Sequence, residues 1–175
     1  MVVRARRLKK RLSKQSGGFT LIEILIVLAL VAILATMAVP SIQDRLVRQQ
    51  IVEASKLADI AKAPIAVSWS LTRKLPADNA AAGLPPPDKI VSNYVSSVSV
   101  EGGAIHMLFG NNANGAIQGK TLTLRAAVVE DAPVVPVAWL CGHAAAVDKM
   151  TAKGADRTDI AVKYLPLNCL APAAP

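Results

Sequence analysis

The chain has 175 residues, enough for one ordinary folded domain. Hydrophobic residues make up 53 % of it and aromatic residues only 3 %, so alanine, valine, leucine and isoleucine carry the apolar content. The formal net charge of +8 is concentrated at one end: residues 1–18 hold seven Lys or Arg and no acid, and beyond them 13 basic residues face 12 acidic ones. A terminal basic arm is typical of a targeting or topogenic segment, and it disfavours nucleic-acid binding, which usually spreads cations over a folded surface.

A long apolar run follows the basic arm. It extends over 21 residues from Phe19 to Val39, with Glu23 as its only charge, and a helix of that length reaches about 30 Å, enough to cross a bilayer. The run is too long for the core of a cleavable secretory signal and ends without a small-x-small site. Because the cations precede it, the positive-inside rule predicts a cytoplasmic N-terminus and an exported chain after Pro40.

The next segment has the period of an amphipathic helix. Apolar or small residues recur at spacings of three and four, which predicts one buried stripe, at Val47, Ile51, Ala54, Ala58, Ala61, Ile65 and Trp69. One rod from Phe19 to about Leu71, bent at Pro40 and Pro64, is the simplest interpretation. Two helices separated by a break at Pro40 are the alternative.

The rest of the chain changes period from helix to strand. Residues 73–89 are rich in proline and predict a long surface loop. Alternating apolar positions then predict four strands, the first two joined by a hairpin turn at Glu101-Gly102-Gly103, over Tyr94–Val100, Ala104–Phe109, Thr121–Val129 and Val137–Cys141. The apolar face of this sheet needs a cover, and the helical stripe supplies it. The predicted class is α+β: a long N-terminal helix on a four-stranded antiparallel sheet, with a C-terminal loop bounded by cysteines.

The two cysteines, Cys141 and Cys169, both lie near the C-terminus. If this part is exported, a disulfide between them is the default expectation, and an incidental pair is the alternative.

Motifs for catalysis or for a bound cofactor are missing from the sequence. No serine lies in a G-x-S-x-G turn, no glycine-rich phosphate loop occurs, and His106 and His143 have no metal-ligand spacing. The aspartates Asp148, Asp156 and Asp159 lack the spacing of a calcium loop and are expected to be solvated surface charges. We therefore expect no enzyme, no cofactor and no metal site.

Glu23 is the unusual residue, because an unpaired carboxylate at membrane depth is unfavourable and tends to be functional. If the chain were cut after Gly18, the new ammonium of Phe19 could pair with Glu23 of a neighbouring helix and fix the stagger between subunits. Equally, Glu23 could extend toward the lipid headgroups without a specific partner.

The junction Gly18-Phe19-Thr20-Leu21-Ile22-Glu23, followed by an apolar helix, resembles the class III signal of type IV prepilins. The C-terminal part also resembles the pilin globular domain, in four blocks: residues 93–98, 117–124, 139–141 and 163–166, the last shortly before Cys169. The resemblance covers about residues 18–169. The leader is longer than is usual for the group and carries a second glycine, Gly17.

The resemblance implies how the chain is processed and assembled. A prepilin peptidase would cut between Gly18 and Phe19, removing the leader 1–18, and methylate the new amine, which keeps its charge. Residues 19–39 would form the transmembrane and assembly helix, 40–72 its amphipathic half and 73–175 a globular β domain. Glu23 would be needed for assembly, Pro40 would match the family's helix-bending proline, and Cys141 and Cys169 would match its disulfide.

These expectations make the chain a structural subunit that polymerises into a surface filament for adhesion and twitching motility. Its partners would be copies of itself, the prepilin peptidase, the pilus assembly machinery and, before assembly, the inner membrane, with the C-terminal domain periplasmic. The alternatives are a minor pilin or type II secretion pseudopilin, an uncleaved signal-anchored periplasmic module, and a DNA-capturing pilin. The last would need Lys120, Arg125, Lys149 and Lys163, and the near-neutral mature part disfavours it.

Overall fold

The computed structural model describes residues 18–172, without the side chains of residues 37–41. The predicted leader before Gly18 therefore lies outside the described residues. The chain divides into two compact units, Met1–Val39 and Pro40–Pro175.

The helical part begins and ends close to its predicted bounds. Helix α1 covers Leu21–Ser55, one turn of 3-10 helix follows at Lys56–Ala58, and helix α2 covers Asp59–Thr72. Pro40 lies within α1 and Pro64 within α2, so the alternative of two helices broken at Pro40 is wrong. The bend predicted at Pro40 stays a prediction, because that side chain lies outside the described ones.

The sheet is antiparallel, as predicted. Its strands are β1 (Val95–Glu101), β2 (Ala104–Phe109), β3 (Thr121–Val128) and β4 (Ala138–Cys141), in the spatial order of the sequence. Glu101 pairs with Ala104 across the β1–β2 turn. The two glycines between them have φ values of 54° and 88°, which residues other than glycine adopt only with backbone strain. The turn therefore needs glycines at these positions, and the predicted hairpin is confirmed.

A fifth strand, β5 (Thr151–Lys153), was not predicted. It pairs with β3 from Ala126 to Val128, and β4 pairs with β3 from Leu124 to Ala127. Because a strand has only two edges, β5 lies on the edge that β2 occupies and extends it. Three residues with a single β-branched member carry no alternating pattern, so only the long-range pairing reveals this strand.

The predicted helical stripe forms one side of the core. All seven of its residues are at most 7 % exposed, and six of them pack in one cluster with the sheet's apolar face. The sheet contributes Val95, Val98, Val100, Ile105, Met107, Phe109, Leu122, Leu124 and Ala126 to the same cluster. Removing this surface from water is the main driving force for folding of the C-terminal unit.

The proline-rich segment after α2 is more ordered than predicted. It contains a 3-10 turn at Pro87–Lys89 and the buried side chain of Asn79. The Asn79 carboxamide donates to the carbonyls of Pro85 and Val98 and accepts the N–H of Val100. It thereby satisfies backbone groups on the outer edge of β1, which has no strand beside it among the described residues.

Candidate assembly segment and disulfide region

The start of helix α1 is fixed by the residue before it. The backbone N–H of Glu23 donates to the Thr20 hydroxyl at 3.3 Å, so Thr20 acts as the N-cap. The sequence Thr20-x-x-Glu23 is the pattern of a capping box, which marks the start of a helix. Glu23 is the acidic residue of the first turn, where the helix dipole favours an anion.

The predicted cleavage site precedes this cap. Gly18 and Phe19 have no regular secondary structure and both are exposed, Phe19 by 78 %. A Cβ added at Gly18 would meet no atom within 4 Å. Within residues 18–172, the Gly18–Phe19 peptide is therefore open to another protein, and no packing contact in that range requires a glycine at position 18.

The first half of α1 presents apolar side chains on every side. Between Leu21 and Leu34 the large hydrophobic residues are 46 % to 79 % exposed within this chain. A helix that is apolar all round is normally covered by other apolar groups. Of the helices described here, none is both long enough and apolar enough to cross a bilayer.

Glu23 is exposed, and no Lys or Arg between residues 18 and 172 lies within salt-bridge distance of its carboxylate. The predicted site residues Gly18, Phe19 and Glu23 lie within six consecutive residues of the sequence. Pro40 lies further along α1.

The C-terminal disulfide is present, as predicted. It joins Cys141 at the end of β4 to Cys169 in the last 3-10 turn, Leu167–Cys169, and both cysteines are buried. Gly142, next to Cys141, has a φ of 52°, and a Cβ there would approach the Cys169 carbonyl oxygen to 2.9 Å. A glycine is therefore needed to bring the two chain segments together.

Ion pairs join the disulfide-bounded segment, residues 141–169, to other parts of the C-terminal unit. Arg157 pairs with Glu101 through two parallel hydrogen bonds, and further pairs join Lys153 to Glu130, Lys120 to Asp159 and Lys163 to Asp44. Because these pairs are exposed, water and salt screen them, and each contributes little to stability. Arg48 of α1 adds two hydrogen bonds to the Lys163 carbonyl.

His106 is buried beneath this segment and contacts the Thr123 hydroxyl at 2.9 Å. Burial lowers the pKa of His106, and the nearby positive charge of Arg157 lowers it further; the carboxylates Glu101 and Asp156 act in the opposite direction. This histidine is thus held neutral by its surroundings at pH values where a free imidazole would begin to charge.

Two of the three aspartates considered for a calcium loop are hydrogen-bonded within the described part of the chain. Among the described residues, no three His, Cys, Asp or Glu side chains converge on one point. Asp159 accepts the N–H of Thr121, whereas Asp156 bonds to His143 and to the N–H of Thr158. The expectation of a solvated charge is wrong for Asp156, whose side chain is only 19 % exposed because it hydrogen-bonds to His143 and to the N–H of Thr158. Burial raises the pKa of Asp156, but its hydrogen bonds with Thr158 and His143 outweigh burial and leave that pKa lowered.

Two protein families match the chain. The pilin family, of bacterial filament proteins, matches residues 47–170, and the prokaryotic N-terminal methylation motif matches residues 13–39. The second match includes Gly18, Phe19 and Glu23.

Three known relatives are similar to the chain over most of their length. The chain is 38 % identical to the type IV major pilin protein PilE1 of Neisseria gonorrhoeae, over 87 % of this chain and 86 % of that protein. It is 35 % identical to a fimbrial protein of Neisseria meningitidis serogroup B, over 87 % and 92 %. It is 34 % identical to the fimbrial protein EcpC of Eikenella corrodens, over 94 % and 97 %. The chain therefore belongs to the type IV pilin family, whose members are structural filament subunits and not enzymes.

Proposed function

We propose that this pilin is made as a membrane-anchored precursor, cut between Gly18 and Phe19, methylated on the Phe19 amine, and polymerised through its N-terminal helix as the bulk subunit of a type IV pilus. The observation that carries the proposal is the position of the Gly18–Phe19 peptide bond. It is exposed and lies just before the capped start of a helix whose surface is apolar and exposed. The methylation motif at residues 13–39 supports the same site.

Processing would turn a membrane anchor into an assembly element. Residues 19–39 would lie in the inner membrane with the N-terminus in the cytoplasm and the C-terminal unit in the periplasm. On assembly these helices would leave lipid for a bundle of their own copies. Each Leu, Ile or Val side chain kept out of water contributes roughly 1.5–3 kcal/mol, so the segment stays covered at every stage.

Glu23 would set the register of that bundle. In low-dielectric surroundings its carboxylate and the ammonium of a neighbour's Phe19 are both unfavourable when unpaired. Subunits would therefore stop at the stagger that pairs them. This role needs the charge of Glu23, whereas the capping hydrogen bond uses only its backbone N–H.

Replacing Glu23 by Gln and by Ala tests the register role. Both variants keep the backbone N–H, so both should be cut and methylated at Phe19 while surface filaments are lost. Glu53→Gln, an exposed acid further along α1, is the matched control and should keep filaments. Immunoblots of membrane and sheared fractions measure both steps; normal filaments from Glu23→Gln would show that the glutamate has no pairing role.

The filament would serve adhesion and twitching motility, with prepilin peptidase and the pilus assembly machinery as partners. DNA capture has weaker support, since three of the four candidate cations are engaged within the chain. Lys120 pairs with Asp159, Lys163 with Asp44, and Arg125 donates to the carbonyls of Gly142 and Ala144.

A further inference from the structure

A short part of the disulfide-bounded segment, residues 156–159, is hydrogen-bonded to strand β3, and we call it the flap. The backbone N–H of Arg157 donates to the Thr123 hydroxyl at 3.0 Å, and the Thr123 N–H donates to the hydroxyl of the next flap residue at 3.1 Å. The Asp159 carboxylate accepts the Thr121 N–H at 2.6 Å, and the Asp159 N–H donates to the Thr121 carbonyl at 3.2 Å. The flap therefore occupies the part of β3 that β4 does not pair with.

The chain on both sides of the flap is fixed by other contacts. Before it, β5 pairs with β3 at residues 126–128. After it, Ile160 is 2 % exposed and packs in the core cluster. The disulfide between Cys141 and Cys169 closes the whole segment at its ends. Release of the flap from β3 thus requires only a local opening and no unfolding of the C-terminal unit.

The Thr123 hydroxyl holds the flap and a buried histidine at the same time. His106 lies opposite Thr123 on β2, is 5 % exposed, and places its Nδ1 at 2.9 Å from the hydroxyl oxygen. Because this oxygen already accepts the Arg157 N–H, its own hydrogen can donate to Nδ1 of a neutral imidazole, and both groups are paired.

A proton on His106 breaks this arrangement. It places a hydrogen on Nδ1, so the imidazole must donate to the hydroxyl oxygen instead of accepting from it. The hydroxyl hydrogen of Thr123, which is fully buried, then has no acceptor among the described residues. A buried donor without a partner is unfavourable, so the closed flap requires a neutral histidine.

The charges around His106 act in the same direction on balance. Burial and the cation Arg157, which belongs to the flap, lower the pKa of His106, whereas the carboxylates Glu101 and Asp156 raise it less. Glu101 is itself engaged by the Arg157 guanidinium through two hydrogen bonds. Arg125, two residues along β3, donates to carbonyls of the disulfide-bounded segment. A charged His106 therefore repels the flap residue that its hydroxyl partner holds.

We propose that His106, Thr123 and Arg157 form an acid-sensitive latch, in which a proton on His106 releases residues 156–159 from β3 while the rest of the C-terminal unit stays folded. In the open state the imidazole reaches water and takes up the proton more readily than in the closed state, so acid favours opening. Opening frees backbone groups of β3 at Thr121 and Thr123, to which another chain segment can pair. The latch depends neither on cleavage nor on Glu23.

Amide hydrogen exchange of the detergent-solubilised full chain, with its disulfide intact, tests the latch. Exchange of the flap and of Ile105 and Met107 in the core is measured at pH 7 and pH 5, and each rate is divided by that of an unstructured peptide at the same pH. We expect the flap to exchange faster than the core residues at both pH values. Its normalised rate should rise severalfold on acidification, and by at most about 25-fold, the limit set by an ordinary histidine pKa of about 6.5 in the open state. A low urea concentration, which promotes global unfolding, should leave the flap rate unchanged.

Two histidine variants identify the group that titrates. His106→Gln should abolish the rise, because glutamine stays neutral and its carboxamide oxygen can accept the Thr123 hydroxyl hydrogen. His143→Gln is the matched control: His143 bonds to the Asp156 carboxylate at 2.8 Å, and its loss should not reduce the rise. In the wild type, NMR of the imidazole should find His106 less than half charged at pH 6.5.

Four results would each overturn the proposal. They are a flap that exchanges no faster than the core residues, a flap rate that does not rise between pH 7 and pH 5, a rise that persists in His106→Gln, and a rise that is lost in His143→Gln. A wild-type His106 that is more than half charged at pH 6.5 while the flap stays protected would also contradict the latch, and this measurement needs no variant.

Discussion

The carboxamide oxygen of Asn79 accepts the backbone N–H of Val100 at 2.7 Å, across 21 residues of sequence. The amide nitrogen of the same side chain donates to the carbonyl of Val98 at 3.0 Å. One polar side chain thus pairs with the edge of β1 as a neighbouring strand would, and it holds the proline-rich loop against the sheet at the same time.

Replacing Asn79 by alanine should therefore destabilise the C-terminal unit. The variant leaves buried backbone groups of Val98 and Val100 without partners, and we expect a loss of roughly 2–4 kcal/mol in the free energy of unfolding. Asn112→Ala is the matched control, because that carboxamide bonds only to Asn93 at the surface, and it should lose less than about 1 kcal/mol. Denaturant unfolding of the solubilised chain measures both, and equal effects would show that the β1 edge does not depend on Asn79.

Removing the disulfide should destabilise the same unit by another route. Cys141 and Cys169 are 28 residues apart, and closing a loop of that size stabilises a fold by about 3–4 kcal/mol in the chain-entropy model. We expect the double variant Cys141→Ser/Cys169→Ser to unfold at clearly lower denaturant concentration. Reduction of the wild-type protein should reproduce the shift, and a coincident unfolding curve for both forms would contradict it.

Stability should also fall in mildly acidic solution because of His106. Its pKa in the folded chain lies below the unfolded value of about 6.5, so at pH below about 7 the unfolded state takes up more protons. The free energy of unfolding should therefore decrease from pH 7 to pH 5. In His106→Gln this decrease should become smaller, and an unchanged slope would contradict the assignment. The lowered pKa of Asp156 acts separately, since its contribution is lost only as the pH falls below about 4.

Gly18→Ala should separate recognition by the peptidase from folding. A Cβ at Gly18 meets no atom of the described residues, so thermal unfolding of the C-terminal unit should be unchanged. Cleavage should nevertheless fail, leaving the uncut chain in membranes, because the proposed peptidase site excludes a side chain there. Gly17→Ala is the control and should be cut normally. A Gly18→Ala chain that is processed as fast as the wild type would mean that cleavage does not occur after Gly18.

Much of the fold could be predicted because its signals are local. The spacing from Val47 to Trp69 identified the buried stripe, and Gly102-Gly103 marked the turn between β1 and β2. The same local reasoning failed where a partner is distant in sequence. Strand β5 depends on pairing with β3, Asn79 on the edge of β1, and Asp156 on His143, and none of these residues carries a pattern by itself. Thr20 differs, because the Thr20-x-x-Glu23 pattern that marks the start of the helix is local in the sequence.

The site predictions at Gly18, Phe19, Glu23 and Pro40 concern events outside a single folded chain. A peptidase, a methyl donor and neighbouring helices determine what those residues do. The structure shows that the Gly18–Phe19 junction is exposed and that the start of α1 is capped. Cleavage, methylation and pairing by Glu23 are part of the proposed function.

The central claim is tested most directly by intact-mass and N-terminal peptide mass spectrometry of sheared surface material and of the membrane fraction. The account predicts that the chain begins at N-methylated Phe19 and is abundant in the sheared material. The same N-terminus confined to membranes would contradict a bulk filament subunit and indicate a minor pilin or pseudopilin. A chain that still begins at Met1 in every fraction would contradict processing and assembly together, leaving an uncleaved, signal-anchored domain.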